Sequence, residues 1–142
     1  MIDMNRRSAL ALGLAATAAT PLLTFASPAL SKTKEYGKND GEEIAPGVRL
    51  VKLGTFKSDI PAYKSIDMVD IVFQPGAVAP ETMMDNDMLC YITAGEFTIK
   101  KPDREFKVKE GEMYACAKGK TDGATNTGNG VGIHTIGILI PA

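Results

Sequence analysis

The sequence is poor in the residues that most often bind metal ions, with one histidine and two cysteines among 142 residues. It contains no Cys-x-x-Cys and no His-x-His pattern, and tryptophan is absent. An ordinary zinc site needs three or four protein ligands, usually drawn from such short patterns. The scarcity of histidine and cysteine therefore argues against an ordinary zinc site.

The chain also lacks an excess of positive charge. Its 16 Lys and Arg residues are offset by 17 Asp and Glu residues, and the formal net charge is −1. From Lys32 to Lys120 the basic residues are scattered among acidic ones and form no stripe. Because phosphate backbones are bound by clustered positive charge, nucleic acid is not an expected partner.

The first thirty residues have the organisation of an export signal. The pair Arg6-Arg7 precedes an uncharged stretch, 8–29, that ends in Ser-Pro-Ala, with small residues where a signal peptidase cuts. Residues 5–10 resemble a twin-arginine signal. We expect cleavage after Ala29 and a periplasmic protein without a stable membrane span. A retained anchor is the alternative, although Ala, Thr, Gly and Pro make the stretch weakly hydrophobic.

Three segments are predicted: an export signal peptide over 1–29, a flexible N-terminal arm over 30–47 and one folded domain over 48–142. The arm is polar and ends at a Pro-Gly turn. From residue 48 onward, short apolar runs such as 66–73 and 131–140 are separated by turn residues. No stretch after residue 30 supports an amphipathic helix of more than about ten residues. This pattern predicts an all-β sandwich or barrel.

Four glycines and one asparagine have the spacing of two sequence motifs: Gly76, Gly95, Gly111, Gly119 and Asn126. The motifs are G-x5-H-x-H-x3-E-x6-G, beginning at Gly76, and G-x5-P-x-G-x2-H-x3-N, beginning at Gly111. They resemble those of the cupin superfamily over residues 66–140. The resemblance implies an all-β, cupin-type jelly-roll barrel in a single domain. Because cupin barrels often pair through their N-terminal strands, it also implies a homodimer.

The positions at which cupins carry metal ligands hold other residues here. Thr82 and Met84 stand at the two histidine positions of the first motif, and Met88 stands at its glutamate position. Asp122 stands at the histidine position of the second motif. A mononuclear iron, manganese, nickel or zinc centre needs imidazole and carboxylate ligands. The usual cupin metal is therefore not expected, and no cofactor is predicted.

The altered positions predict a pocket that binds a small molecule without a metal. The long run 119–130 is small and polar, and we expect it to form turns around the barrel mouth. Ile136 is expected in the apolar wall. The candidate ligand-binding residues are Thr82, Met84, Met88, Tyr91, Tyr114, Asp122 and His134.

Two other functions stay open. Thioether, thiol and imidazole groups suit Cu(I), for which the candidate ligands are Met84, Met88, Cys90 and His134. Methionine also fills irregular apolar space, so its presence is explained without a metal. A metal-free enzyme of the isomerase or lyase type would use His134 and Asp122 as catalytic residues for proton transfer. A lone histidine on an apolar strand face is also explained as a hydrogen-bonded core residue.

Cys90 and Cys116 are expected on two paired strands, 88–92 and 112–116, within reach of a disulfide. Such a bridge would add roughly 3–4 kcal/mol on the chain-entropy model. Folding in a reducing cytosol before twin-arginine export would instead begin from two buried thiols. A structural disulfide, inert thiols and a catalytic or metal-binding pair are all compatible with the sequence.

Overall fold

Ten β-strands and no helix occur in residues 34–142, the part of the chain that the computed structural model describes. The strands are β1 Glu42–Ala45, β2 Val48–Lys57, β3 Tyr63–Phe73, β4 Val78–Met83, β5 Asp87–Ala94, β6 Glu96–Lys100, β7 Glu105–Lys109, β8 Met113–Cys116, β9 Thr121–Asn126 and β10 Gly132–Pro141. The predicted all-β class is confirmed. The predicted signal peptide and residues 30–33 lie outside the described residues. Within the described range, no helix is long and apolar enough to cross a membrane.

The strands form two antiparallel sheets. The order is β1-β2-β3-β10-β5-β8 in the six-stranded sheet and β4-β9-β6-β7 in the four-stranded sheet. Most neighbours in each sheet are distant in sequence, as in a jelly roll. The long strands β3 and β10 pair from Phe73 opposite Gly132 to Ser65 opposite Ile140. This central pairing holds the six-stranded sheet together.

Apolar side chains of both sheets pack against each other in the space between them. Alternation along β6 places Phe97 and Ile99 inward, where each is 0% exposed. They pack in one cluster with Val48, Phe73 and Ile92 from the six-stranded sheet. Phe73 and Phe97 meet edge to face with ring centroids 5.0 Å apart, an arrangement worth about 0.5–1.5 kcal/mol beyond area burial. The two sheets therefore share a single core.

The glycines that carry the cupin-like spacing lie at turns. Gly76, Gly95, Gly111 and Gly119 have φ values between 76° and 87°. Gly95 joins β5 to β6, and a Cβ atom there would lie 2.9 Å from the Cα atom of Gly132. A side chain at residue 95 would therefore meet both an unfavourable backbone conformation and a steric collision.

Asn126 joins the chain segments that follow β3 and β9. It is 1% exposed, and its side-chain amide donates to the carbonyl oxygens of Phe73, Gln74 and Gly130 at 3.1, 3.2 and 2.9 Å. Its Oδ1 atom accepts a hydrogen bond from the backbone amide of Gly128 at 3.0 Å. The asparagine of the second motif thus satisfies buried backbone groups, which explains its presence without a metal.

The N-terminal arm is ordered in its described part, contrary to the flexible segment predicted over 30–47. Strand β1 pairs with β2, and the Arg49 Nε atom donates to the carbonyl oxygen of Asp40 at 2.8 Å. Tyr36 donates its hydroxyl proton to Oδ2 of the fully buried Asp70 at 2.5 Å. Burial, together with the Asp70 carboxylate, raises the pKa of Tyr36. These long-range contacts order a segment whose own composition is polar.

Candidate ligand-binding site

A cavity of about 390 Å³ lies between the two sheets. Strands β3 and β10 give it an apolar wall that contains Val69, Ile71, Ile136 and Ile138. Six of the seven predicted ligand-binding residues line it: Thr82, Met84, Met88, Tyr114, Asp122 and His134. Both cysteines also face it. The residues at the altered metal-ligand positions therefore converge on one space.

Strand register explains how these side chains come together. Along β10, His134 and Ile136 are two residues apart and so face the same side of the sheet. In β5, Cys90 is opposite Ile136 and Met88 is opposite Ile138. Every one of these residues lines the cavity. The alternation that the sequence displays is thus sufficient to place this part of the wall.

Tyr91 is the exception, and its assignment to the pocket is wrong. It lies between Cys90 and Ile92 on β5, and both of those side chains are buried on the inner face. Successive residues of a strand point to opposite faces, so Tyr91 faces outward. It is 40% exposed, opposite Met113 on β8. The alternation along β5 is the sequence signal that excludes Tyr91 from the cavity.

The residues at the metal-ligand positions do not fit the usual cupin metal. Thr82 and Asp122 lie opposite each other across β4 and β9. Met84 and Met88 add two thioethers, which are poor ligands for iron, manganese or zinc in such sites. Among residues 34–142, no group of three or more His, Cys, Asp or Glu side chains is placed to hold a metal ion. These side chains therefore do not provide the set of ligands that such a metal ion needs.

Asp122 forms a buried ion pair with Lys101. The Lys101 Nζ atom lies 3.1 Å from Oδ2 of Asp122, and the two side chains are 12% and 7% exposed. The ammonium group also donates to the carbonyl oxygen of Ala115 at 3.0 Å. Cys116 donates its thiol proton to the same Oδ2 atom. The carboxylate that replaces a metal ligand is thus already neutralised by a lysine.

Lys101 was missed from the sequence, although a signal for it was present. It follows β6 at two positions beyond Ile99, which is itself two positions beyond Phe97. Both apolar residues face the core, so the period of two places Lys101 on the inner side as well. This signal is hidden in the sequence by the neighbouring Pro102 and Asp103, which are typical of a solvated turn.

His134 is held neutral by its surroundings. Burial lowers its pKa to about 3. Its Nδ1 atom lies 3.4 Å from the hydroxyl oxygen of Tyr114, and its ring centroid lies 4.0 Å from that of Phe97. The Nε2 atom is buried and has no hydrogen-bond partner within the described part of the chain. Burial raises the pKa of Tyr114, so the pair presents two uncharged polar groups.

Cys90 and Cys116 are free thiols on the same wall. The predicted pairing of their strands is confirmed, since β5 pairs with β8. Their Sγ atoms lie 3.8 Å apart. The hydrogen bond from Cys116 lowers the pKa of Cys90, whereas that same hydrogen bond, together with burial, raises the pKa of Cys116.

Several solved structures with a similar architecture are described as cupins. The cupin domain of Cnp3 from Schizosaccharomyces pombe is 14% identical with a TM-score of 0.58, over 75% of this chain and 73% of that one. A predicted oxalate decarboxylase from Thermotoga maritima is 16% identical with a TM-score of 0.59, over 72% and 94%. An RmlC-like cupin from Shewanella frigidimarina is 21% identical with a TM-score of 0.56, over 79% and 93%. The sequence matches no family model and no curated protein.

The chain therefore has the cupin fold, and the predicted cupin-type jelly roll is confirmed. Identities of this size establish the fold alone. One fold hosts many activities, so the function has to be argued from the cavity and its side chains.

Proposed function

We propose that this protein binds a small molecule in the barrel cavity without a metal ion. The observation that carries the proposal is the convergence of Thr82, Met84, Met88 and Asp122 on one cavity of about 390 Å³. Ligand pockets usually span roughly 300–1,000 Å³ and combine apolar walls with a few polar groups. In this protein the residues at the metal-ligand positions line the cavity, in place of the side chains that would bind a metal ion in other cupins.

The composition of the cavity indicates a neutral ligand with an apolar body. Val69, Ile71, Ile136 and Ile138 present only hydrocarbon to it. Lys101 and Asp122 carry opposite charges near this wall and neutralise each other at 3.1 Å. A charged ligand would lose its hydration without gaining an unpaired opposite charge, and that cost is large in a buried site. The hydroxyl of Tyr114 and the ring of His134 then serve to orient one polar group of the ligand.

Filling the cavity is expected to weaken binding. Ile136→Trp adds volume at the centre of the apolar wall, and we expect affinity for the neutral dye Nile red to fall by about tenfold or more, or roughly 1.4 kcal/mol. Fluorescence titration measures the affinity, with thermal unfolding as a check because overpacking itself costs about 1–3 kcal/mol.

The matched control for Ile136→Trp is Leu89→Trp. Leu89 lies on the opposite face of the same sheet and is 48% exposed, so this variant should leave the dye affinity unchanged. Equal effects of the two variants, or an effect of the outer variant alone, would place the dye outside the cavity and contradict the proposal. Native mass spectrometry of the purified protein identifies any small molecule that is retained.

Cu(I) binding is a second candidate, because its four predicted ligands, Met84, Met88, Cys90 and His134, all line the cavity. The state of His134 weighs against it, since one ring nitrogen faces Tyr114 and the other is buried beside Phe97. We expect a competing chelator, bicinchoninate, to withhold Cu(I) from the protein. Retention of one equivalent that is lost in Met84→Leu would favour copper over the small molecule.

The metal-free enzyme has less support. No hydrogen bond between His134 and Asp122 is found in the described residues, and each is engaged elsewhere. A base works best when its pKa is near the working pH, and that of His134 is lowered to about 3.

Export to the periplasm and pairing of two chains stay predictions. Cell fractionation tests the first, and sedimentation velocity tests the second.

A further inference from the structure

Two thiols face the same cavity and have no part in the proposed binding. Cys90 and Cys116 are 1% and 5% exposed, and their sulfur atoms lie 3.8 Å apart. Both line the cavity, so a molecule that enters it meets both sulfurs. We propose that Cys90 and Cys116 form a redox-active dithiol that exchanges reversibly with small disulfides inside the barrel.

The strand register distinguishes this pair from a structural disulfide. Cys90 is opposite Tyr114, and Cys116 is opposite Met88, so the two cysteines are diagonal neighbours on β5 and β8. Diagonal Cα atoms are roughly 7–8 Å apart in a sheet, whereas bridged cysteines usually lie about 4.4–6.8 Å apart. Closing the bond therefore requires β8 to shift. A bridge formed under such strain is easily reduced, as in redox-active pairs.

β8 is placed to make that shift. It has four residues and lies at the edge of the six-stranded sheet, where β5 is its one neighbour among the described strands. The carbonyl oxygen of Ala115 accepts a hydrogen bond from Lys101, whose long side chain is flexible. Movement of Cys116 by the distance needed to close the bond thus displaces a short edge strand, together with the buried Cys116 side chain. Oxidation would also move the wall of the cavity at Cys116.

The proton of Cys116 has a defined acceptor. Its one S–H proton lies between two acceptors, the sulfur of Cys90 and Oδ2 of Asp122. Lys101 lies 3.8 Å from the same sulfur atom and balances the carboxylate. Cys90 is the better thiolate, because the hydrogen bond with Cys116 lowers its pKa. The attacking and resolving roles therefore fall to Cys90 and Cys116 respectively.

The exchange balances without any further oxidant. The Cys90 thiolate attacks one sulfur of a small disulfide, forms a mixed disulfide and releases the first thiolate. Cys116 passes its proton to Asp122, and its sulfur attacks the Cys90 sulfur and displaces the second thiolate. The two protons of the cysteines end on the two released thiols. The protein dithiol is oxidised to a disulfide, and one external disulfide is reduced to two thiols.

Hydroxyethyl disulfide, which is small and neutral, is the probe. We expect the folded, reduced protein to lose two hydrogen atoms by mass spectrometry when the probe is added, and to regain them with mercaptoethanol. Cys116→Ser should stop the reaction at one mercaptoethanol adduct on Cys90. Cys90→Ser should form an adduct at least ~tenfold more slowly, since the attacking thiolate is gone.

Plugging the cavity provides a test that leaves both thiols in place. Ile136→Trp should slow oxidation of the folded protein by ~tenfold or more, while Leu89→Trp should not. The proposal is overturned if the folded protein keeps both thiols while the urea-unfolded protein is oxidised. It is also overturned if Cys116→Ser collects no adduct on Cys90, or if the plugged variant reacts at the rate of the original. Dye binding is measured separately, so loss of this activity leaves the binding proposal standing.

Discussion

Acidification is expected to destabilise the protein through His134, by roughly 2–3 kcal/mol between pH 7 and pH 4.5. Burial lowers the pKa of this residue to about 3 in the folded chain, whereas in the unfolded chain it lies near 6.5. Below pH 6.5, His134 is therefore protonated in the unfolded chain but stays neutral in the folded chain. The free energy of unfolding falls as the pH drops from 6.5 toward 3, and this term is absent above pH 7. Urea unfolding at a series of pH values measures it.

His134→Leu is the matched variant for the pH series. It keeps an apolar side chain of similar bulk among Phe73, Phe97 and Tyr114 and has no group that titrates. Carboxylates titrate equally in both proteins, so the difference between the two curves isolates His134. From pH 6.5 to pH 4.5 the free energy of unfolding of the original protein should fall steadily relative to that of His134→Leu. Parallel curves over this range would mean that His134 is protonated in the folded protein.

Removing the positive charge beside Asp122 is expected to cost about 3–5 kcal/mol of unfolding free energy. Lys101 is 12% exposed and lies 3.1 Å from the carboxylate. Lys101→Met keeps most of the bulk of the side chain and leaves Asp122 with a buried charge that nothing neutralises. Breaking one partner of a buried pair is costly for that reason, even where the intact pair adds little. Chemical denaturation at pH 7 measures the loss.

Two variants bracket the Lys101 result. Lys100→Met removes the neighbouring lysine, whose ion pair with Glu81 is 2.8 Å long but whose side chain is 62% exposed. This variant should leave the free energy of unfolding almost unchanged, because solvent screens an exposed ion pair. Lys101→Met combined with Asp122→Leu removes both charges and should recover most of the stability. If the two single variants lose the same amount, or if the double variant recovers nothing, the buried pair is not the cause.

The fold was predictable because its signals are local. Gly76, Gly95, Gly111 and Gly119 mark turns with positive φ, and their spacing records the lengths of the strands between them. Asn126 marks a set of buried backbone carbonyls. These backbone requirements favour one residue type at each position, and they do not depend on what binds in the cavity. The arm was not predictable in this way, because Tyr36 and Asp70 are 34 positions apart and neither residue type indicates the other.

The site was predictable only as far as the period of two reaches. It places Met88, Cys90, His134 and Ile136 correctly, and it would have excluded Tyr91. What no pattern supplies is which strands become neighbours in a sheet. Asp122 lies on β9 and Lys101 follows β6, and their contact depends on the pairing of these two strands in the four-stranded sheet, where Lys100 lies opposite Gly123. Sequence separation hides that kind of pairing.

The bond between Tyr36 and Asp70 decides where a recombinant version of this protein should begin. A chain cut at Val48, where the apolar runs start, would carry every strand of the barrel except β1 and every wall of the cavity except Ile44. It would also lack Tyr36, whose hydroxyl group donates a hydrogen bond to the buried carboxylate of Asp70 on β3. We expect chains that begin at Val48 to aggregate on expression. Chains that begin at Glu35 retain the hydrogen bond between Tyr36 and Asp70.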